Sequence, residues 1–194
     1  MFPFLLIFII FLIILTYYIK KSNASQEKVQ QEFWEKERLS NAVRKKDISK
    51  LDYINIPLDK FPPLLHSQTE EKLYSLASKP MLNLTGISNT DLKLEYGTAN
   101  LAVLSDYDAN FTDLIALLPD YIDELLDAGH TTQAKELLEH ILAYNADSRK
   151  LYQQLTQIYL ASNDTDQIQK LYELSANLPE FTRLAVQKDL SAHM

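Results

Sequence analysis

An uninterrupted apolar run, "FPFLLIFIIFLIILTYYI", lies near the N-terminus and constrains this chain more than any other feature. Between Phe2 and Ile19 only Thr16 and two tyrosine hydroxyls are polar. At about 1.5 Å per residue, a helix of this length spans roughly 27 Å, which matches the hydrocarbon core of a bilayer. Residues 2–19 are therefore predicted to form a single transmembrane helix that contacts membrane lipid.

A cleaved signal peptide is the alternative interpretation of this run. Signal peptides carry basic residues before a shorter apolar stretch and a small-residue cleavage site after it. No Lys or Arg precedes the run, and "SNAS" at 22–25 is a poor cleavage site, so a retained anchor is favoured. Because Lys20, Lys21 and Lys28 follow the run, the positive-inside rule predicts an N-terminus outside the cell membrane and a cytoplasmic body.

Residues 20–46 contain many helix-forming residues and neither Gly nor Pro. They are predicted to continue the span as a juxtamembrane helical stalk. An interfacial helix, with Phe33 and Trp34 among the lipid headgroups, is the less favoured alternative. Its apolar stripe is thin, and the neighbouring glutamates oppose contact with lipid.

Prolines interrupt the helical pattern between residues 47 and 66. The segment contains Pro57, Pro62 and Pro63. Because proline lacks the backbone N–H and clashes inside a helix, an extended linker is predicted here. Ile54 and Ile56 alternate with polar residues and are expected to pack against the helical body.

Helix caps are expected to organise residues 67–110 into short helices. Ser67 and Glu70 have the spacing of a capping box, in which each side chain bonds a backbone N–H of the other residue. The stretch "NLTGISNTDLKLEYG" invites comparison with a phosphate-binding loop. That loop requires G-x-x-x-x-G-K-[ST], and Gly86 is followed by no second glycine before Lys93.

Helix-cap signals account for this glycine-containing stretch better than a phosphate-binding loop does. Ser88 or Asn89 can accept hydrogen bonds from the first turn of a helix. Asp91 suits that first turn, and Gly97 suits the left-handed position that ends it. The stretch is therefore predicted to separate helices, with Lys93 contributing little to stability.

Residues 111–194 carry a strong helical periodicity, with apolar residues at three- and four-residue spacing in four successive segments. Pro119 is expected to kink the first segment or to start a new helix. Gly129 separates the first segment from the second. A last helix, from Phe181 to Leu190, is expected to cap the stack.

This region contains an internal sequence repeat. The pairs that superimpose after a constant shift are Leu125 with Tyr159, Gly129 with Asn163, Ala134 with Ile168, and Leu138 with Tyr172. The period resembles that of the tetratricopeptide repeat, a helix–turn–helix unit of about 34 residues, and "LLDAGHTTQAKELLEHIL" resembles the turn of that family. The resemblance covers about residues 114–180 and departs from the family at Ile168, where a small residue is usual. Since it includes only two repeats, earlier helices must complete the core.

This resemblance also implies a partner-binding surface. In tetratricopeptide arrays the first helix of each pair lines the concave face. By that analogy, the residues that face a protein or peptide partner are Asp123 and Asp127 of one copy and Lys150, Gln153 and Gln157 of the other. The alternative is that these residues form the solvated face of their helices.

The order of segments in the whole chain resembles a group of small single-pass membrane proteins of clostridia-like bacteria. The matching parts are the anchor, "FWEKERLSNAVRKKDISKLDYINIPLD", "LTGISNTDLKLEYG" and the helical repeats. No activity is assigned to that group, so the resemblance implies a location and a shape only.

Composition and motif spacing argue against several classes of function. A net charge of −7 and a pI of 5.1 argue against a nucleic-acid binder, which needs clustered Lys and Arg. With no cysteine there is no disulfide and no thiolate nucleophile. The four histidines lack metal-ligand spacing, and no frame such as G-x-S-x-G presents a nucleophilic serine. We expect no catalytic, metal or cofactor site.

The sequence thus predicts a mainly α fold, with one transmembrane helix and a body that ends in tetratricopeptide-like repeats. The expected function is that of a membrane-anchored, non-catalytic scaffold for protein or peptide partners. A structural subunit of a membrane complex is the alternative, and an enzyme with an unrecognised site is the least favoured.

Overall fold

The structure is a computed structural model that describes residues 2–194, apart from the side chains of residues 2, 24 and 25. The described residues form helices and contain no strand, which confirms the mainly α prediction. The α-helices are α1 (Phe2–Asn41), α2 (Gln68–Ala77), α3 (Asn89–Tyr96), α4 (Leu101–Asp127), α5 (Thr131–Leu142), α6 (Arg149–Ala161), α7 (Thr165–Leu174) and α8 (Glu180–Ser191). Single 3-10 turns, Thr98–Asn100 and Ser175–Asn177, follow α3 and α7.

Helix α1 is continuous over 40 residues. Among the described residues it is the one helix long and apolar enough to cross a membrane, and none of its most apolar window is buried. In a continuous helix, Phe33 and Trp34 lie about 21 Å beyond Ile19 along the axis.

The chain divides into two compact units, of which the first comprises Met1–Asp47 and Ser88–Leu101. Here α3 packs on the C-terminal end of α1 through a polar network. The Lys93 ammonium pairs with Glu37 and also donates to the Asn41 side chain at 3.0 Å. Asp91 bonds Lys36 at 2.6 Å. Lys93 is only 7% exposed, and its removal would leave Glu37 without its cation. This burial and pairing argue against the expectation that Lys93 contributes little to stability.

The predicted caps of α3 are present. The Ser88 hydroxyl accepts from the Asp91 N–H at 3.2 Å and donates to the Asp91 carboxylate at 2.6 Å. Gly97 ends the helix with φ 87° and ψ 146°, so its φ is positive as expected, although its ψ is extended and not that of a left-handed helix. The backbone of Arg44 passes directly against Gly97, and a Cβ there would lie 2.3 Å from the Arg44 carbonyl oxygen.

The second unit comprises Ile48–Ile87 and Ala102–Met194 and contains the main apolar core. Helix α6 packs on α5, α7 and α8, and α7 also packs on α8. Ile54 and Ile56 of the non-helical segment are 4% and 2% exposed, and the Ile54 N–H donates to the Met81 carbonyl at 3.0 Å. The proline-containing segment is therefore part of this core.

Helix α4 differs in extent from its sequence pattern. It begins at Leu101, so the boundary placed between residues 110 and 111 falls inside it. It also continues through Pro119 and does not restart there. Buried Leu114, Leu118 and Ile122 flank the proline on the core side, and their packing stabilises the helix where a hydrogen bond is missing.

The repeat period is visible in the turns that follow α4 and α6. The His130 N–H donates to the Leu125 carbonyl at 2.8 Å, and the Asp164 N–H donates to the Tyr159 carbonyl at 2.9 Å. Between these residues Gly129 has φ 82° and Asn163 has φ 55°. Both turns thus satisfy the last carbonyls of a helix with a left-handed residue at the same position.

A carboxylate anchors the loop that precedes α2. The Glu70 side chain is 2% exposed and accepts from the N–H groups of Leu64 at 2.8 Å, Leu65 at 3.2 Å and His66 at 2.7 Å. The Tyr121 hydroxyl donates to the same carboxylate at 2.9 Å. His66 has φ 51°, which helps to turn successive N–H groups towards one point.

Only half of the predicted capping box therefore forms. The Ser67 hydroxyl accepts from the Glu70 N–H at 3.1 Å, as expected. The Glu70 side chain does not return to the cap because the preceding loop offers it three N–H donors. The Ser67 hydroxyl instead donates to Glu124 of α4 at 2.6 Å.

Candidate functional site

A groove between α6 and α8 is the best candidate site in the second unit. It encloses a cavity of about 500 Å³. From α6 it is lined by Tyr152, Gln153, Thr156, Gln157 and Leu160, and from the α8 side chiefly by Val186, Asp189 and His193. This volume is within the range of small-ligand and peptide side-chain pockets.

The helical period of α6 explains how the groove residues are presented. Leu151, Leu155 and Ile158 are buried in the core and fix the rotation of the helix. Gln153 and Gln157, one turn apart, consequently lie on its exposed face.

Asp189 closes one side of the groove and is held by two residues of α6. Arg149 binds it with two hydrogen bonds of 2.7 Å each, and the Gln153 amide donates to it at 2.8 Å. The hydrogen bond from Arg149 is the main reason that the pKa of Asp189 lies below its usual range. Asp189 is therefore a fixed acceptor and unsuited to proton transfer at neutral pH.

Tyr152 lies at the base of the groove with only 1% of its surface exposed. Its hydroxyl finds no hydrogen-bond partner among the described residues. Burial, followed by the negative charge of Asp147, raises the pKa of Tyr152 to about 12. The hydroxyl oxygen itself is not accessible to water, so Tyr152 lines the groove through its other atoms.

The other predicted site residues form a polar seam between α4 and α6. The Lys150 ammonium donates to Asp123 at 3.0 Å. Gln154, which is buried, donates to the other Asp123 oxygen at 2.6 Å and to the Pro119 carbonyl at 2.9 Å. Hydrogen bonding to Lys150 is the main cause that lowers the pKa of Asp123.

The structure thus divides the five predicted partner-binding residues. Gln153 and Gln157 meet in the groove, while Asp123 and Lys150 bind each other at the seam. Asp127 is exposed at the end of α4 and lines neither feature. The two glutamines are the members of the predicted set that a ligand in the groove would contact.

A second cavity, of about 410 Å³, lies between α5 and α7. The Tyr159 hydroxyl donates to Glu139 at 2.8 Å, and the Lys135 ammonium lies 5.2 Å from the centre of the Tyr159 ring. These polar groups satisfy one another, so the cavity offers fewer unused groups than the groove.

Sequence reasoning missed the α8 side of the groove. The sequence pattern predicts only that the last helix caps the stack, whereas α8 packs directly on α6. A shift of Gln153 and Gln157 by one repeat period leads to Gln187 and Ser191, neither of which lines the groove, so the repeat pattern gives no signal for its α8 side.

Comparison with known proteins adds no assignment to this geometry: no family model, no curated protein and no solved structure matches the chain. The function is therefore inferred from the groove and from α1 alone.

Proposed function

We propose that this protein is a membrane-anchored, non-catalytic scaffold that binds a protein or peptide partner in the groove between α6 and α8. The main support for this proposal is that the groove combines a cavity of about 500 Å³ with the adjacent amides of Gln153 and Gln157. Each amide has donor and acceptor groups, and Gln153 keeps its carbonyl oxygen and one N–H beyond its bond to Asp189. These groups suit the alternating N–H and C=O groups of a peptide backbone.

The order of the helices supports a tetratricopeptide-like array. Helices α4 and α6 end at Asp127 and Ala161, and α5 and α7 begin at Thr131 and Thr165, so both pairs are offset by the same repeat period. In such an array α4, α6 and α8 are the first helices of successive pairs. The groove then lies on the concave face, which this repeat family uses for binding.

The first test blocks the groove. Gln157→Trp is expected to place an indole ring in the cavity and to reduce capture of partners from solubilised membranes by at least about tenfold, since steric occlusion of a central pocket removes the core of an interface. Partners are quantified by mass spectrometry after capture with wild-type and variant chains.

Glu136→Trp is the matched control because Glu136 is exposed on α5, outside the groove. Both variants should melt like the wild type, since exposed substitutions usually change stability by less than about 0.5 kcal/mol. Equal partner yields from the two variants would show that the groove is not the binding surface. A wild-type body that is insoluble without partners would support a permanent structural subunit instead.

We also propose that α1 is retained as a membrane anchor with the body in the cytoplasm. The apolar part of α1 has no burial against the chain, and its C-terminal flank carries lysines. The chain lacks cysteine, so single cysteines are specific probes.

Ser22→Cys and Gln169→Cys are expected to resist a membrane-impermeant thiol reagent in intact cells and to react fully after lysis. Both positions are exposed on the protein surface, so burial within the fold would not explain a failure of the cysteines to react in intact cells. Labelling of both before lysis would place the body outside. Recovery of the body from the medium would restore the interpretation as a cleaved signal peptide.

A further inference from the structure

The outer face of α8 carries apolar side chains that the second unit leaves uncovered. Phe181 is 87% exposed and Leu184 is 58% exposed, whereas Val186 and Leu190 on the opposite face are each 1% exposed. Phe181 is the most exposed of the large apolar side chains in the described part of the chain. Exposed neighbouring apolar groups of this size commonly mark an interaction surface.

Two charged residues complete this face. Glu180 and Lys188 are both exposed, and each lies four residues from Leu184, one before it and one after it. At 3.6 residues per turn, these three residues follow one side of the helix. Among residues 2–194 neither charge takes part in a salt bridge.

We propose that this face binds the same face of a second copy of the chain, with the two α8 helices antiparallel about a twofold axis near Leu184. In that arrangement Leu184 meets Leu184 of the other copy. Along the helix, Glu180 lies about 6 Å before the twofold axis and Lys188 about 6 Å after it. Because the two helices are antiparallel, each Glu180 faces the other copy's Lys188. Phe181 then packs on the aliphatic stem of that lysine, where a cation–π contact is available.

The symmetry of the charges is the reason to favour a second copy over a different protein. An isologous interface requires a surface that is complementary to itself. Opposite charges at equal distances on either side of an apolar centre meet this requirement, and a parallel arrangement would instead place like charges together. The contact area is small, and anchoring of both copies by α1 in one membrane would raise their effective concentration.

Disulfide trapping in membranes tests the proposal directly, because the chain has no native cysteine. Leu184→Cys in the full-length chain should give a disulfide-linked homodimer on mild oxidation. Glu136→Cys, exposed on α5, should not. The expected difference in dimer yield is about tenfold or more, as for a position at a twofold axis compared with one outside the interface.

A charge exchange in the Leu184→Cys background tests the pairing. Glu180→Lys alone and Lys188→Glu alone should each lower the dimer yield roughly tenfold, since both copies then carry like charges opposite one another. The double variant should restore the yield. Lys188 also borders the groove, so Glu180→Lys is the single variant that leaves the groove residues unchanged.

Three results would overturn the proposal. The Leu184→Cys chain could remain monomeric on oxidation, or it could form a disulfide-linked product with a protein of another mass. The third is a dimer yield of the double variant that is as low as the yields of the single variants. Partner capture through Gln157 is measured separately, so failure of the dimer leaves the proposed groove function standing and the reverse also holds.

Discussion

Replacing Glu70 with alanine is expected to lower the free energy of unfolding by about 3 kcal/mol or more. The change removes the acceptor for three backbone N–H groups and for the Tyr121 hydroxyl at once. A buried donor left without an acceptor costs about 1–3 kcal/mol, and because the three N–H groups are only partly buried, water recovers part of this. Chemical denaturation of the full chain in detergent, followed by circular dichroism, measures the loss.

Glu71→Ala is the matched control, since Glu71 is the next residue of α2 and is exposed. We expect it to change stability by less than about 0.5 kcal/mol. If the two alanine variants unfold at the same denaturant concentration, Glu70 does not hold the loop of residues 64–66.

The charge of Glu70 also makes stability depend on pH. Burial tends to raise the pKa of this carboxyl, but the N–H groups of Leu64, His66 and Leu65 and the Tyr121 hydroxyl together outweigh burial and bring it below its ordinary value of 4.5. Because the folded pKa is the lower one, this stabilisation is complete above the unfolded pKa and is lost as pH falls through the folded pKa.

Glu70→Gln lacks that titration. The wild type should therefore lose its advantage over this variant as pH falls below 4.5, and the difference between the two curves isolates Glu70 from the other acidic groups. A difference that is independent of pH would contradict the role assigned to the charge.

Gly97→Val is expected to be the second strongly destabilising change, at about 3–5 kcal/mol. The backbone has φ 87° and ψ 146°, a region that is strained for any residue with a Cβ. The Cβ would also lie 2.3 Å from the Arg44 carbonyl oxygen and 2.7 Å from its carbon. Hydrogen exchange of the α3 amides is the appropriate measurement, because separation of α3 from α1 should expose them.

The chain provides internal controls for the two causes of this strain. Gly86 and Gly129 have φ 84° and 82°, and a Cβ at either would meet no atom within 4 Å. Their alanine variants should cost about 1–2 kcal/mol from the backbone conformation alone. Gly97→Ala should cost clearly more, because Gly97 combines an extended ψ of 146° with the close contact to Arg44. An equal cost at all three positions would mean that neither feature adds strain.

The sequence was sufficient for features that depend on local pattern. The cap pattern predicts that α3 begins at Ser88 or Asn89 and ends at Gly97, and the structure has Ser88 and Gly97. Helix α8 lies within one residue of the expected Phe181–Leu190. Caps and apolar spacing determine such features, and both are encoded within a few residues.

Features that depend on distant residues were missed. The exposure of Lys93 could not be judged because Glu37 and Asn41 lie more than fifty positions earlier. Glu70 was correctly placed near a cap, but its contact with Tyr121 spans 51 residues. The α8 side of the groove was missed for the same reason, since the contact between Gln153 and Asp189 depends on how α6 and α8 pack.

The continuity of α1 has an electrostatic consequence. With residues 2–19 in the bilayer and the helix upright, residues 20–41 hold Asn41 about 33 Å from the hydrocarbon boundary. At physiological ionic strength the Debye length is about 8 Å, so roughly four screening lengths separate this end of the helix from the membrane boundary. In the proposed membrane arrangement, the basic residues Arg44, Lys45 and Lys46 would be insulated from anionic lipid, and a change in headgroup composition would leave their ionic environment unaltered.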